Sequence, residues 1–148
     1  MSYDLRVERL IDATPEEVFE AYTNPEAQKV WFKILNQDMI VDIEVDLRVG
    51  GKSVSRWGFS PDEMYHETNV FDVVERPHRL LSKSSYTTPD GSTLETDVEV
   101  TFRNERGKTL MTVVQSGFVD EGLRDFLADK AWIGAFDRLN AYFAAKVA

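Results

Sequence analysis

Two carboxylates four residues apart, Asp125 and Asp129, fall at helical spacing with Trp132, Phe136 and Phe143. A helix through this stretch turns both toward its apolar side. A carboxylate there could accept a hydrogen bond from a ligand, or act as a general base with its pKa raised by burial. Against this stands a plainer role, in which the first turns project past the sheet and the aspartates favour the positive end of the helix dipole. Asp is almost never fully buried unpaired. Gln115 shares a strand face with Met111 and Val113, where its amide could orient a polar ligand group or bond to backbone. Arg9 shares a face with Val7 and Ile11. It could clamp an anion bidentately, pair with an internal carboxylate or lie at a sheet edge.

Other chemistry is thinly supported. His66 sits between Tyr65 and Glu67 with no catalytic partner named by spacing, and His78 sits in a proline turn. Two isolated histidines match no common metal-ligand pattern, and there is no cysteine to supply a thiolate. Gly51-Lys52-Ser53 imitates the end of a phosphate-binding loop, yet Asp46 stands where the full pattern requires glycine. No bound cofactor is expected.

The elements that would position these residues can be read in order. Tyr3, Leu5, Val7 and Ile11 alternate as a first strand. Thr14-Pro15-Glu16-Glu17 supplies an N-cap, a first-turn proline and a capping-box glutamate, and Asn24-Pro25-Glu26 repeats the signal. Two short helices joined by a sharp corner follow, carrying Val18, Phe19 and Tyr22, then Val30, Trp31 and Phe32. From Met39 to Phe118 six strands are predicted, over Met39–Val45, Lys52–Phe59, Met64–Glu75, Leu80–Tyr86, Thr93–Arg103 and Thr109–Ser116. Turn residues separate them at hairpin length, so the sheet is an antiparallel meander. The Gly50-Gly51 pair provides positive φ in one of these turns.

Asp120 caps a last helix that runs to about Lys146, roughly 40 Å long. Trp132, Phe136, Leu139 and Phe143 form its apolar arc, with Phe126, Ile133 and Val147 beside them. So wide an apolar face needs a concave surface to bury it, and a curved sheet provides one.

Composition narrows the partners. The 148 residues suit one domain, spanning 1–148, and the formal charge of −9 disfavours nucleic acid and anionic membrane surfaces. No apolar run approaches the ~20 residues of a membrane span. Met1-Ser2-Tyr3-Asp4-Leu5-Arg6 lacks the basic-then-apolar pattern of a signal peptide, so a cytoplasmic location is expected.

Several segments resemble one family in order along nearly the whole chain. They are Ala13–Phe19, Thr23-Asn24-Pro25, Trp31, Asp46–Gly51, Val73–Leu80, Ser116-Gly117-Phe118 and Trp132 with Asp137-Arg138-Leu139. Together they resemble the activator of heat-shock protein 90 ATPase homologues, within the START-like (SRPBCC, helix-grip) superfamily. The resemblance implies an α+β helix-grip fold, in which an antiparallel sheet wraps a long C-terminal helix, with two short helices after strand 1. It implies a ligand cavity between sheet and helix, with a chaperone-cofactor role acting by protein binding as one alternative. A polyketide-cyclase or dehydratase-like enzyme is another, with Asp129 or His66 as its acid or base.

This chain departs from the family where Ser53, Ser55, Ser82 and Ser84 replace bulkier residues. If those faces point inward, the cavity is wider and more polar, suited to a largely hydrophobic but partly polar molecule. The aromatics Trp31, Trp57, Phe59, Tyr86, Phe118, Phe126 and Trp132 could line it. The expected ligand contacts are Trp31, Trp57, Ser82, Ser84, Tyr86, Gln115, Phe118, Phe126, Asp129, Trp132, Ile133 and Phe136. A small hydrophobic molecule is the expected partner and a protein, such as a chaperone, the alternative. Oligomeric state is left open, a homodimer included.

Overall fold

Thr14 opens the first helix as its residue type predicts. Its hydroxyl accepts from the Glu17 backbone N–H at 3.3 Å, and the Glu17 carboxylate accepts from the Thr14 N–H at 3.0 Å. This reciprocal cap satisfies two orphan donors and starts α1 (Pro15–Thr23). Asn24 closes α1 and caps α2 (Pro25–Lys33), accepting from the backbone of Glu26 and Ala27. Proline at the first position of each helix sharpens the corner. The structure, a computed structural model, describes residues 2–147, and the Val147 side chain, expected beside the apolar arc, lies outside the described residues.

Around these helices runs a seven-stranded sheet. β1 (Tyr3–Ile11) precedes the helices. β2 (Ile40–Val45), β3 (Lys52–Gly58), β4 (Met64–Glu75), β5 (Arg79–Thr87), β6 (Thr93–Glu105) and β7 (Lys108–Phe118) follow. The order across the sheet is β1-β7-β6-β5-β4-β3-β2, and every pairing is antiparallel. The meander is thus as read from the turns, with β1 returning to pair with β7. In the β2–β3 turn only Gly50 takes positive φ, at 82°. Gly51 is needed for a different reason: a Cβ there would collide with the Asp46 carbonyl. This tight turn also pairs with β4, since the Gly50 N–H donates to the Phe71 carbonyl at 2.8 Å.

Asp120 caps the last helix as expected, accepting from the Leu123 N–H at 3.2 Å. The helix is not uniform. It begins as α3 (Glu121–Phe126), widens into one π-helical turn (Leu127–Ala131) and continues as α4 (Trp132–Val147). Within that turn the Trp132 N–H reaches back to the Leu127 carbonyl, one residue further than α-geometry allows. The extra residue rotates everything before it by about 100° relative to α4. Leu127 is turned inward and buried, while Asp125, Phe126 and Asp129 are turned out to solvent.

The core lies between the inner sheet face and α4, with α1 and α2 closing one side. Phe19, Phe102, Phe118, Phe136, Met111 and Leu139 are fully buried there. β6 shows the strictest alternation, with Leu94, Thr96, Val98, Val100 and Phe102 buried along one face. Arg9 proves structural: its guanidinium donates to Asp137 at 2.8 Å and lies 5.7 Å from the Phe136 ring centroid, fastening edge strand β1 to α4.

Candidate functional site

Between the sheet and the C-terminal helix lies a cavity of about 220 Å³. Its floor is the inner face of β3 to β7, its roof is Leu127, Ala131, Trp132, Ala135 and Arg138, and Tyr22, Gln28, Trp31 and Phe32 close one side. Period-2 geometry and strand register place the polar residues in rows across the floor. Ser53, Asn69, Ser84 and Thr96 are successive cross-strand partners on β3, β4, β5 and β6. Ser55, Glu67, Tyr86 and Leu94 form the next row. Ser53, Ser55, Ser82 and Ser84 therefore face inward, each less than a tenth exposed, and each lines the cavity.

Hydrogen bonds join these rows to the roof. The Trp132 indole N–H donates to the Gln115 side-chain oxygen at 2.9 Å, and the Gln115 amide donates to the Thr96 hydroxyl at 2.9 Å. On the other side of the floor, the Ser82 hydroxyl donates to the Asn69 amide oxygen at 3.1 Å. The Asn69 amide N–H in turn donates to the Glu67 carboxylate at 3.0 Å. Gln28 donates to the Tyr22 carbonyl at 2.6 Å, but its own buried side-chain oxygen has no hydrogen-bond partner among the described residues.

Glu67 is the chemically distinctive group. Burial pushes its carboxyl above the usual range, opposed only by the bond from Asn69. No cation contributes to holding it ionised. Tyr86, its cross-strand neighbour, is pushed up to about 12, first by burial and then by the charges of Tyr65 and Glu67. Burial raises the Tyr22 phenol as well, with Glu67 adding to the effect. Trp57, Tyr65 and Tyr86 pack as a trio with centroids 5.8 to 6.1 Å apart, and Phe32 meets Trp57 edge-on at 6.0 Å.

Of the twelve residues expected from sequence, the cavity wall contains Trp31, Trp57, Ser82, Ser84, Tyr86, Gln115 and Trp132. Phe118 and Phe136 are instead solid core with no exposed surface, and Ile133 packs against that core. Phe126 and Asp129 stand in solvent because the π turn shifts the helical phase. Asp125 pairs with Arg124 at 2.8 Å on the same outer side. Phe59 is 60% exposed beyond the end of β3. His66 and His78 are both exposed, so neither meets the cavity. Among the described residues no cluster of His, Asp and Glu could hold a metal ion, and no helix is long and apolar enough to cross a membrane.

Sequence reasoning passed over Glu67, Asn69, Gln28 and Arg138. The signals were present. Glu67 and Asn69 precede Phe71 at alternate positions, Gln28 lies one helical turn before Trp31, and Arg138 follows Ala131 and Ala135 down one helix stripe. What hid β4 is its inverted pattern, with polar residues inside and Val70 out, followed by a bulge between Phe71 and Val73.

No curated protein matches the chain. Solved structures share its fold at low identity. An uncharacterised protein from Rhizobium leguminosarum superposes with a TM-score of 0.80 at 20% identity, covering 98% of this chain and 96% of its own. A Rhodobacter sphaeroides protein gives 0.76 at 24% identity over 96% and 93% of the two chains. DynU16, described as a protein in the dynemicin biosynthetic locus, gives 0.72 at 24% identity over 97% of this chain and 48% of that one. The family profile described as Activator of Hsp90 ATPase homolog 1-like protein matches residues 12–144. With that profile spanning nearly all of a helix-grip chain, the protein belongs to the Activator of Hsp90 ATPase homolog 1-like family.

Proposed function

We propose that this protein binds a small, largely hydrophobic but partly polar molecule in the cavity between the sheet and the C-terminal helix. One observation carries the reading: aromatic and aliphatic walls line a recessed, partly open cavity into which serine, glutamine and glutamate side chains also face. Natural ligand sites combine apolar lining with a few convergent polar groups in this way. An apolar cavity of ~150 Å³ holds benzene, so 220 Å³ suits roughly nine or ten non-hydrogen atoms. Apolar burial would supply affinity, at about 25 cal/mol per Å². The polar rows would set orientation.

The chaperone-cofactor role in the family's name requires a protein-binding surface, whereas here the chemistry converges inside. The enzyme reading loses Asp129 and His66 to solvent. A cytoplasmic location, a single domain over 1–148 and an open oligomeric state remain part of this reading.

Filling the cavity tests it. A phenyl group at position 84 projects from the centre of the floor, so Ser84→Phe should abolish binding of a probe of matching size, 2-phenylethanol, in calorimetry. The circular dichroism spectrum should be unchanged. Unaltered probe affinity in a folded Ser84→Phe variant refutes the cavity as the binding site.

A further inference from the structure

Glu67 is a half-buried acid in the cavity wall, flanked across the strands by Ser55 and Tyr86. It takes one neutral hydrogen bond, from Asn69, and no lysine or arginine pairs with it among the described residues. A carboxylate removed from water without a counter-ion is costly, and the cost is relieved when a cation is brought to it. The surroundings suit such a cation. Tyr86 lies directly across the strand pair from Glu67, and Trp57 packs on Tyr86 with centroids 6.0 Å apart. Trp57, Tyr86 and Tyr22 all reach the cavity. Ring faces carry negative electrostatic potential and attract ammonium groups. The unsatisfied side-chain oxygen of Gln28 is a further acceptor in the same wall, so it too calls for a donor. At a larger scale the net charge of −9 draws cations toward the molecule and repels anions.

Resting on the cavity reading above, we propose that the ligand is an amphiphilic organic amine, with its ammonium group seated on Glu67 against the aromatic rings and its apolar body beneath the C-terminal helix. Arg138 is the one cationic side chain lining the cavity among the described residues. It sits on the roof, folded against Gly134 of its own helix, and does not contribute to the ionisation of Glu67. The ammonium therefore belongs at the floor.

Three probes of matched size and different charge test this: 2-phenylethylamine, 2-phenylethanol and phenylacetate, titrated calorimetrically into the full chain near neutral pH. The amine should bind about tenfold more tightly than the alcohol, and phenylacetate most weakly. Glu67→Gln keeps an acceptor for Asn69 but removes the charge, so the amine should fall to the level of the alcohol. Asp125→Asn, on the exposed outer side, changes net charge equally and should leave the preference intact. If the alcohol binds and the amine binds no better, or if the preference survives Glu67→Gln, the amine assignment is overturned while the cavity reading stands. Failure of all three probes at millimolar concentration overturns both. The order of the three probes on the unmodified chain decides the matter even where Glu67→Gln fails to fold.

Discussion

Trp132 on the C-terminal helix donates its indole N–H to Gln115 on β7 at 2.9 Å, making a direct polar tie between the roof and the floor of the cavity. Gln115 is buried and uses its amide on Thr96, so the chain of bonds crosses from α4 through β7 to β6. Trp132→Phe keeps an aromatic ring and deletes the donor. The Gln115 oxygen is then left without its partner in a buried setting, which costs about 1–3 kcal/mol. Equilibrium denaturation should show that loss, and the double variant Trp132→Phe with Gln115→Leu should recover part of it because the orphaned acceptor is gone.

The half-buried carboxyl of Glu67 makes stability fall as pH rises. Its pKa is raised by folding, so below the unfolded value of about 4.3 the group is protonated in both states and contributes nothing. Above that value the unfolded chain releases the proton while the folded chain retains it, and stability drops until the folded group ionises as well. Glu67→Gln cannot ionise. It should therefore be more stable than the parent at pH 7, with a higher thermal midpoint, and the difference should vanish near pH 4. Melting curves across that range check the sign. A gap that widened toward low pH would contradict it.

Thr14 gives a test at the other end of the molecule. Its hydroxyl and the Glu17 carboxylate cap α1 reciprocally, and the backbone bond from Thr14 is the main cause holding Glu17 below the ordinary carboxylate range. Thr14→Ala should cost about 1 kcal/mol, seen as a lower denaturation midpoint at an unchanged slope. A loss well under half of that would mean the cap is dispensable.

The contrast between what could and could not be read from the residues has a physical cause. Caps, turns and alternation are local. Thr14, Asn24 and Asp120 named their helices, and Leu94 to Phe102 named the inner face of β6 without knowledge of any distant contact. The inward serines could be anticipated because Ser82 and Ser84 share parity with Leu80. Glu67 could not be anticipated as readily. Its strand carries apolar Val70 on the outside, and the bulge after Phe71 changes which parity faces the core. Asp129 failed for a related reason. Its inward placement followed from α-helical phase, and nothing local in Leu127–Ala131 announces that the turn there has widened.

That widened turn lets the helix carry one residue more between Phe126 and Trp132 than regular winding accommodates. Insertions and deletions are ordinarily tolerated in surface connections and harmful within packed elements. Here a single codon removed would take up the extra residue, so the helix would wind regularly while Leu127 kept its inward seat and Asp125 stayed in water. Homologues that bury a leucine at this place on a regular helix should therefore carry one residue fewer between it and the tryptophan, whichever residues fill the interval.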